Sequence, residues 1–413
     1  MIADVLVVGA GQAGLQLVSS LREGGFSGSV TLVGEEPLPP YQRPPLTKAY
    51  LAGQVNENSL FMQEDDFFAN HLIRFRSGVK VTSIDRRHRR ISLSDGSVLD
   101  YGRLVLATGA RNRALPQHLG APMGLLSIRT LSDAQVLRRR MGPDRRLAVI
   151  GAGFLGLEAA VIASAAGCAV EVIEIGSHAL GRAVSPQLSE LFSRYHRSLG
   201  IRFRFHTMVE SIRRHADESW TLTFDAGADV VVDDILVAIG VTPNTDLAEQ
   251  AGLDVADGII VDEWLRTSDP DIYAIGDCSA FPHQADGNRL VRLESVQNAV
   301  DQARAVAAHI LGNAVRYDEV PLFWSNQAGL RLQIAGVARP TDAAVVRGAP
   351  ADNSCSVFRF RDDRLVAVES VNRPGDHMQA RRLLKAGAPL TPAQAADPGF
   401  DLKSLYAPTP VAG

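Results

Sequence analysis

Short apolar runs and stretches with a helical period alternate along this chain, and the strongest pattern occurs twice. Residues 2–8 and 147–150 are mainly apolar, as are strands covered on both faces of a parallel sheet. Each run leads through glycines into a segment that predicts a helix, and a second apolar run follows at 29–33 and 169–173. The pattern therefore predicts two strand–helix–strand units of the α/β class.

The turn between strand and helix has the same glycine spacing in both units. It has the form Gly-x-Gly-x-x-Gly at 9–14 and again, 142 positions later, at 151–156. These glycines let the backbone approach a pyrophosphate at a helix N-terminus, where free N–H groups and the helix dipole favour anions. An acidic residue about 20 positions further on is expected to bind a ribose hydroxyl, and Glu35 and Glu174 hold these places. The repeat predicts two Rossmann-like domains that bind two dinucleotides.

The second unit is predicted to be inserted in the first. A predicted apolar strand leads into Thr108-Gly109. Residues 232–244 show the same pattern, an apolar strand that leads into a glycine, at the far edge of the second unit. At 267–278 another apolar strand ends in Gly276-Asp277, which indicates a return to the first unit. Further elements of the first unit are predicted as strands over 79–84 and 90–93, joined by a turn at 94–97, and a helix over 295–311.

The pattern changes near residue 319. Alternating strands are predicted over 330–335, 343–347, 356–360 and 365–371, and a helix over 376–386. These elements predict a compact C-terminal α+β domain without a dinucleotide fingerprint of its own. The predicted domains are a first dinucleotide-binding domain at 1–110 and 242–318, a second at 111–241, and the C-terminal domain at 319–413.

Composition narrows the class of protein. The chain has 413 residues, enough for two or three domains, and its net charge of −4 argues against a general nucleic-acid binder. No apolar run approaches the roughly 20 residues that a membrane span needs, and the first residues run directly into a strand without a basic leader. We therefore expect a cytoplasmic enzyme that works without a membrane.

Cysteine and histidine usage argues against thiol and metal chemistry. Cys168, Cys278 and Cys355 are far apart and form no Cys-x-x-Cys pair, and the ten histidines add no ligand spacing. Each cysteine is predicted to be a small packed residue. No protein-bound metal is predicted.

One carboxylate indicates the nicotinamide preference. Glu174 can accept hydrogen bonds from the ribose diol of NADH but would repel the 2′-phosphate of NADPH. The next residues, 175–177, supply no arginine for that phosphate, although Arg182 lies further along the chain and could reach back to it. The sequence favours NADH over NADPH.

An ordered set of motifs resembles the FAD-containing, NADH-dependent ferredoxin reductases of bacterial oxygenase systems, which have the glutathione-reductase type of fold. It covers nearly the whole chain, through the two fingerprints, 41–48, 107–109, Glu158, 273–277, 292–299 and 323–325. The resemblance implies an oxidoreductase that takes hydride from NADH onto FAD. Such an enzyme would pass single electrons to a small [2Fe–2S] ferredoxin, which serves a haem-thiolate monooxygenase or a ring-hydroxylating dioxygenase. The resemblance implies that the domain at 1–110 and 242–318 binds FAD and that the domain at 111–241 binds NADH.

The resemblance also assigns site residues. Lys48, paired with Glu158, would lie at the redox-active edge of the flavin, and Trp324 would either assist electron exit or pack as an apolar cover. The FAD-binding residues it implies are Gly9, Gly11, Ala13, Gly14, Glu35, Arg43, Lys48, Val81, Ala107, Thr108, Gly109, Arg129, Gly276, Asp277, Ser295, Val296 and Trp324. The NAD-binding residues it implies are Gly151, Gly153, Phe154, Leu155, Gly156, Glu158, Glu174, Ile239 and Gly240.

A small acidic ferredoxin requires a basic docking face on its reductase. The candidates are Arg292, Arg331, Arg373, Arg381 and Arg382. Two other interpretations stay open at this point. One is an NADH oxidase or thiol-linked reductase of the same architecture, and the other is a flavin-bearing redox-signalling protein.

Overall fold

The fold is described from a computed structural model, which covers residues 2–64, 66–119 and 123–406. The chain divides into two compact units. Unit 1 comprises Met1–Gln42, Glu57–Arg111 and Thr242–Pro321, and unit 2 comprises Arg43–Asn56, Asn112–Val241 and Leu322–Gly413. The three-domain division predicted from the sequence stays a prediction, and parts of it at 120–122 and 407–413 lie outside the described residues.

The described residues form strands and helices in the following order. The strands are β1 Ile2–Val8, β2 Val30–Val33, β3 Ile73–Arg76, β4 Val81–Asp85, β5 Arg90–Leu93, β6 Val98–Leu106, β7 Ala110–Asn112, β8 Arg146–Ile150, β9 Ala169–Ile173, β10 Arg202–Arg204, β11 Val209–Arg214, β12 Trp220–Phe224, β13 Val230–Val232, β14 Asp234–Val237, β15 Val241–Pro243, β16 Val255–Ala256, β17 Gly258–Ile260, β18 Ile272–Ala274, β19 Ser279–His283, β20 Arg289–Val291, β21 Leu322–Gln327, β22 Leu330–Gly336, β23 Ala343–Ala349, β24 Ser354–Arg361 and β25 Arg364–Val371. The α-helices are α1 Gln12–Glu23, α2 Phe67–Asn70, α3 Leu131–Arg140, α4 Phe154–Ala165, α5 Pro186–Ser198, α6 Asp246–Gln250, α7 Val296–Ile310, α8 Pro374–Ala386 and α9 Pro392–Ala396.

Unit 1 is built on a sheet of order β3-β2-β1-β6-β5-β4, with β18 also paired to β6. Strands β3, β2, β1, β6 and β18 run parallel, and Val7 of β1 lies beside Leu32 on one side and Val105 on the other. These residues are buried, because the central strand of a parallel sheet is covered on both faces. Helices α1 and α7 pack against each other within this unit.

One local prediction in unit 1 was wrong. The turn at 94–97 joins β5 to β6, whereas residues 86–89 join β4 to β5. Arg89 adopts a left-handed conformation with φ of 51°, which a charged sequence without glycine or asparagine does not signal. The predicted helix over 295–311 is present as α7, which begins one residue later and ends one residue earlier.

Unit 2 contains a second parallel sheet, of order β10-β9-β8-β14, and a small antiparallel sheet of β11, β12 and β13. Its C-terminal part is a five-stranded antiparallel sheet of order β21-β22-β25-β24-β23. Helix α8 packs on this sheet, and Phe358, Val368 and Leu383 are buried in its core. The two parallel sheets with a C-terminal α+β part confirm the predicted α/β fold class.

Among the described residues, none of the helices combines the length and the apolar character needed to cross a membrane.

Candidate functional site

The first fingerprint makes a tight turn at the end of β1. Gly9 has φ of +112°, and a Cβ there would lie 2.1 Å from the carbonyl oxygen of Ala107. A Cβ on Gly14 would lie 1.9 Å from the carbonyl oxygen of Gly9. Only glycine fits these two places, because the chain crosses itself closely.

The second fingerprint repeats this geometry at the end of β8. Gly151 has φ of +105°, and its Cβ would lie 2.5 Å from the carbonyl oxygen of Ala238. A Cβ on Gly156 would lie 2.4 Å from the carbonyl oxygen of Gly151. The two turns therefore have the same backbone design, on two different sheets.

The middle glycine of each fingerprint differs from the other two. A Cβ on Gly11 would meet nothing within 4 Å, and one on Gly153 would meet only the oxygen of Ala238 at 4.0 Å. These glycines also form the N-caps of α1 and α4, without a side-chain hydrogen bond to the first turn. Open space above free helix N–H groups fits a pyrophosphate at both places.

The acidic residues that follow the two fingerprints differ in their surroundings. The side chain of Glu35 is 68% exposed and pairs with Lys80 at 3.2 Å. Glu174 instead accepts hydrogen bonds from the backbone N–H groups of Ala152 at 2.8 Å and Gly176 at 2.7 Å. Glu174 thus holds both its own loop and the second fingerprint turn.

Other predicted flavin residues of unit 1 lie at the ends of its strands and helices. Thr108 follows β6 and exchanges two hydrogen bonds with Asn244, at 2.7 and 2.8 Å. Gly276 follows β18 with φ of +76°, and its N–H donates to Gln302 at 2.7 Å. The remaining ones are Ala13 in the first turn of α1, Val81 at the start of β4, Ala107 and Gly109 after β6, and Asp277 in the short helical turn after β18.

Helix α7 of unit 1 begins at Val296, and Ser295 is its N-cap. The Ser295 side chain accepts a hydrogen bond from the N–H of Asn298 at 3.1 Å. The cap satisfies one of the first-turn N–H groups and leaves others free to stabilise negative charge.

In unit 2, Glu158 and Lys48 form a close ion pair. Lys48 Nζ lies 2.5 Å from Glu158 Oε2, and the side chains are 23% and 2% exposed. Thr47 donates to the same carboxylate oxygen at 2.5 Å, and Ser325 donates to Oε1 at 2.5 Å. A buried carboxylate with one lysine and two hydroxyl donors is held in one orientation.

The other predicted site residues of unit 2 lie on β21, on α4 and in loops. Arg43 donates to the carbonyl oxygen of Arg129 at 2.6 Å. Trp324 lies on β21 and is 39% exposed. Phe154 packs against Phe323 with ring centroids 4.4 Å apart. Leu155 begins α4 beside Phe154, while Ile239 and Gly240 follow β14, with Gly240 at φ of +101°.

Thr47 and Ser325 were not predicted as site residues. Both belong to motifs of the family resemblance, but each contacts Glu158 from a distant part of the chain. Ser and Thr are common in loops, so their residue type alone gave no signal.

All three cysteines are free and buried. Burial raises the pKa of the Cys278 thiol, and it raises the pKa of Cys355 to about 11. A reactive thiolate needs the opposite shift. Within the described residues, no group of histidine, cysteine and acidic side chains has the arrangement of a metal site.

These features define a class of protein: an oxidoreductase with two dinucleotide-binding turns and an ion-paired lysine. The chain belongs to the pyridine nucleotide-disulphide oxidoreductase family, whose model matches residues 3–303, and a reductase C-terminal model matches residues 322–406. This family and the ferredoxin reductases within it use FAD and NAD(H), the cofactors that the sequence predicts.

Similar proteins are ferredoxin reductases. Rhodocoxin reductase of Rhodococcus erythropolis is 46% identical over 98% of this chain and 94% of that protein. Putidaredoxin reductase of Pseudomonas putida is 38% identical over 98% and 97%. The crystal structure of the covalent putidaredoxin reductase–putidaredoxin complex matches with a TM-score of 0.93 and 37% identity, over 98% of both chains. The predicted resemblance to oxygenase-system ferredoxin reductases is therefore confirmed.

Proposed function

We propose that this protein is an NADH-dependent ferredoxin reductase that supplies single electrons to a small [2Fe–2S] ferredoxin. The ferredoxin in turn serves a haem-thiolate monooxygenase or a ring-hydroxylating dioxygenase. The observation that carries the proposal is the Lys48–Glu158 pair, in a chain with two dinucleotide turns and three buried thiols. Because NADH is made and used inside cells, the proposal places the protein in the cytoplasm.

FAD, when bound, accepts a hydride from NADH and releases its electrons one at a time. Gly9, Gly11 and Gly14 would hold its pyrophosphate against the N-terminus of α1. Lys48 would supply a fixed positive charge to the flavin, and the N-terminus of α7 would supply partial positive charge. Glu158 keeps Lys48 in place, because a flexible four-carbon side chain is otherwise free to turn into solvent.

The second fingerprint would bind NADH. Gly151, Gly153 and Gly156 would hold its pyrophosphate, and Glu174 would accept a hydrogen bond from the ribose diol. Two backbone N–H groups already fix the Glu174 carboxylate in place. A fixed negative charge beside the ribose would repel the extra phosphate of NADPH, and we infer a preference for NADH.

We propose a ferredoxin docking face with fewer arginines than the sequence suggests. Arg292 is engaged by Asp257 at 3.2 Å and by Glu294 at 2.6 Å, and its side chain is only 10% exposed. Arg373 pairs with Asp376 at 2.5 Å. We therefore retain Arg331, Arg381 and Arg382, near exposed Trp324 in sequence or on α8, as the docking candidates.

Stopped-flow mixing tests the proposal. The purified, FAD-loaded protein is mixed with NADH, and then with a [2Fe–2S] ferredoxin, with cytochrome c, or with air-saturated buffer alone. Rapid ferredoxin reduction with slow oxygen consumption is the expected result. Rapid NADH oxidation by oxygen alone would support the oxidase alternative. A long-lived reduced complex that ferredoxin does not discharge would support the signalling alternative.

A thiol-free variant separates this proposal from a thiol-linked reductase. Cys168, Cys278 and Cys355 are replaced together by alanine, since serine would place an extra hydroxyl in a buried site. Ferredoxin reduction should continue at the wild-type rate in the folded variant. Loss of electron transfer, with FAD still bound, would contradict the proposal.

A further inference from the structure

A buried carboxylate of the C-terminal sheet binds the start of helix α5 in unit 2. Glu369 lies on β25, between β22 and β24, and is 2% exposed. Its Oε2 accepts a hydrogen bond from the backbone N–H of Ser185, the N-cap of α5, at 2.7 Å. Its Oε1 accepts a hydrogen bond from Arg359 of β24 at 2.8 Å. Because a carboxylate has two acceptor oxygens, Glu369 satisfies both donors at once.

The bond to Ser185 takes the place of a local helix cap. In a capping box, a glutamate or glutamine at the third helical position accepts a hydrogen bond from the N–H of the N-cap residue. Leu188 holds that position in α5, and the Ser185 side chain makes no capping bond. The N–H of Ser185 is therefore satisfied by a side chain that lies 184 residues further along the chain.

Arg359 is also held from its other side. Its second terminal nitrogen donates to the carbonyl oxygens of Arg339 at 3.0 Å and Asp342 at 3.1 Å. These bonds fix the plane of the guanidinium, which then offers an N–H to Glu369 in one direction. Glu369 consequently has one orientation in which both of its oxygens are used.

The loop that ends at Ser185 also holds the second fingerprint turn. This loop, residues 174–185, begins at Glu174, which accepts a hydrogen bond from the N–H of Ala152 at 2.8 Å. In the middle of the loop, the N–H of Leu180 donates to the carbonyl oxygen of Ala152 at 2.9 Å. Ala152 is the second residue of the Gly-x-Gly-x-x-Gly turn. The loop therefore binds both backbone polar groups of a residue inside the pyrophosphate turn.

Leu180 makes its bond in a strained backbone conformation. It is buried and left-handed, with φ of 57°. A leucine rarely adopts this conformation, which persists only where the surrounding structure holds it. Helix α5 contributes to this, because the Ser189 hydroxyl donates to the carbonyl oxygen of Ala179, the residue before Leu180. The position of the N-terminus of α5 thus affects whether Leu180 can reach Ala152.

We propose that Glu369 is a positioning residue for the second fingerprint turn. By binding the N–H of Ser185, it fixes the end of the loop 174–185. The fixed loop keeps Ala152 and its neighbouring glycines in the form that accepts a pyrophosphate. The effect on NADH rests on the proposed function of this turn, whereas the effect on the loop does not.

Two matched double variants of the full-length, FAD-loaded protein test the proposal. Arg359→Met is combined with Glu369→Gln in one and with Glu369→Leu in the other. Both remove the buried charges together, and buried ion pairs often tolerate uncharged replacements of similar size. The glutamine keeps an oxygen for the N–H of Ser185, and the leucine does not. We expect the wild-type KM for NADH with glutamine and a KM about fivefold higher with leucine, at unchanged kcat.

The single variants should reverse the behaviour of glutamine. With Arg359 present, the one amide oxygen of Glu369→Gln goes to the guanidinium, because the charge-assisted bond is the stronger one. The amide NH₂ then faces the N–H of Ser185, so the KM for NADH should rise about fivefold here too. Arg359→Met alone breaks the same ion pair but keeps the carboxylate, and it should retain the wild-type KM. A KM that follows stability, and not the acceptor at position 369, would overturn the proposal.

Hydrogen–deuterium exchange of residues 175–185 gives a readout that does not need NADH. Exchange should be faster in Glu369→Gln and in the double variant with leucine, because both lack an acceptor for Ser185. The double variant with glutamine should exchange like wild type. Equal exchange in the two double variants would contradict the proposal. FAD retention should be the same throughout, since the first fingerprint lies on a different sheet.

Ferredoxin reduction, measured in parallel, separates this inference from the proposed function. Normal reduction, with KM and loop exchange that do not respond to the residue at 369, refutes only the role of Glu369. Loop exchange that responds as expected, in a protein that does not reduce ferredoxin, supports that role and refutes only the proposed function.

Discussion

The two glycine fingerprints have nearly the same backbone, yet the helices that follow them have different tasks. Position 158 of α4 is equivalent to position 16 of α1. Gln16 bonds to Ser20 one turn along the same helix at 3.0 Å, whereas Glu158 bonds to Lys48 from a separate segment. The shared part of the motif provides an anion-binding turn. The part that differs is the residue at the equivalent helix position: Glu158 provides a buried charge, and Lys48 from a separate segment fixes its position.

The acidic residues show the same contrast. Glu35 is exposed and pairs with an exposed lysine, while Glu174 closes the second turn through backbone N–H groups. The first glycine of each turn donates a backbone hydrogen bond to the neighbouring strand, and the second turn is also bound by the Glu174 carboxylate. Four sets of variants test the comparison.

The largest effect is expected from Lys48→Met. It leaves the Glu158 carboxylate buried without its counter-charge, and removing one partner of a buried pair costs about 3 kcal/mol. The equivalent change in the first copy, Gln16→Met, removes only a part-buried hydrogen bond within one helix and should cost less than about 0.5 kcal/mol. Chemical denaturation of the two variants provides the measurement. Equal costs would mean that Glu158 is not specialised.

The middle glycines should separate the two binding turns. Gly11→Ala and Gly153→Ala meet open space in the protein, so both variants should fold with wild-type stability. The added methyl group occupies the place of the pyrophosphate, and we expect at least a roughly tenfold loss of affinity, about 1.4 kcal/mol. Gly11→Ala should lose FAD and its absorbance. Gly153→Ala should keep FAD and show a raised KM for NADH.

Reversed or joint losses would contradict the assignment of the two turns. Gly14→Ala is the positive control for damage to the fold, because its Cβ would lie 1.9 Å from a backbone oxygen. It should lower stability as well as cofactor binding, unlike Gly11→Ala in the same turn.

Much of this fold follows from local pattern. Strand β9 has the bounds predicted for it, and the C-terminal strands and helix fall where alternation and helical period place them. The turn at 86–89 was missed because Arg89 takes a left-handed conformation that its sequence does not signal. Local pattern therefore predicts regular elements well and the turns between them less well.

The polar environment of Glu158 could not be predicted in this way. Thr47 and Ser325 lie 111 and 167 residues from it along the chain. Hydroxyl side chains have no periodicity that marks them as partners, so only the tertiary fold identifies them. Lys48 and Glu158 themselves were predicted through the family resemblance, and not from their spacing.

The acidic residues allow a third test, of nucleotide preference. Glu174→Ala with Ile175→Arg removes the negative charge and adds a cation at a side chain that is 68% exposed. The ratio of kcat/KM for NADPH to that for NADH should rise about tenfold, or about 1.4 kcal/mol. Glu35→Ala, at the matching place of the first fingerprint, should leave this ratio unchanged. An unaltered ratio in the double variant would remove Glu174 from the account of specificity.

The smallest effect concerns the exposed pair of the first turn. Lys80→Ala removes the partner of Glu35, but both side chains are more than 60% exposed and such pairs contribute less than about 0.5 kcal/mol. Stability should therefore change little, and salt should reduce the difference further because exposed charges are screened. FAD retention by Lys80→Ala should also equal that of wild type, since Glu35 would still be ionised and accessible to a ribose. A marked loss of stability or of FAD would show that the first turn, like the second, depends on its acidic residue being held in place.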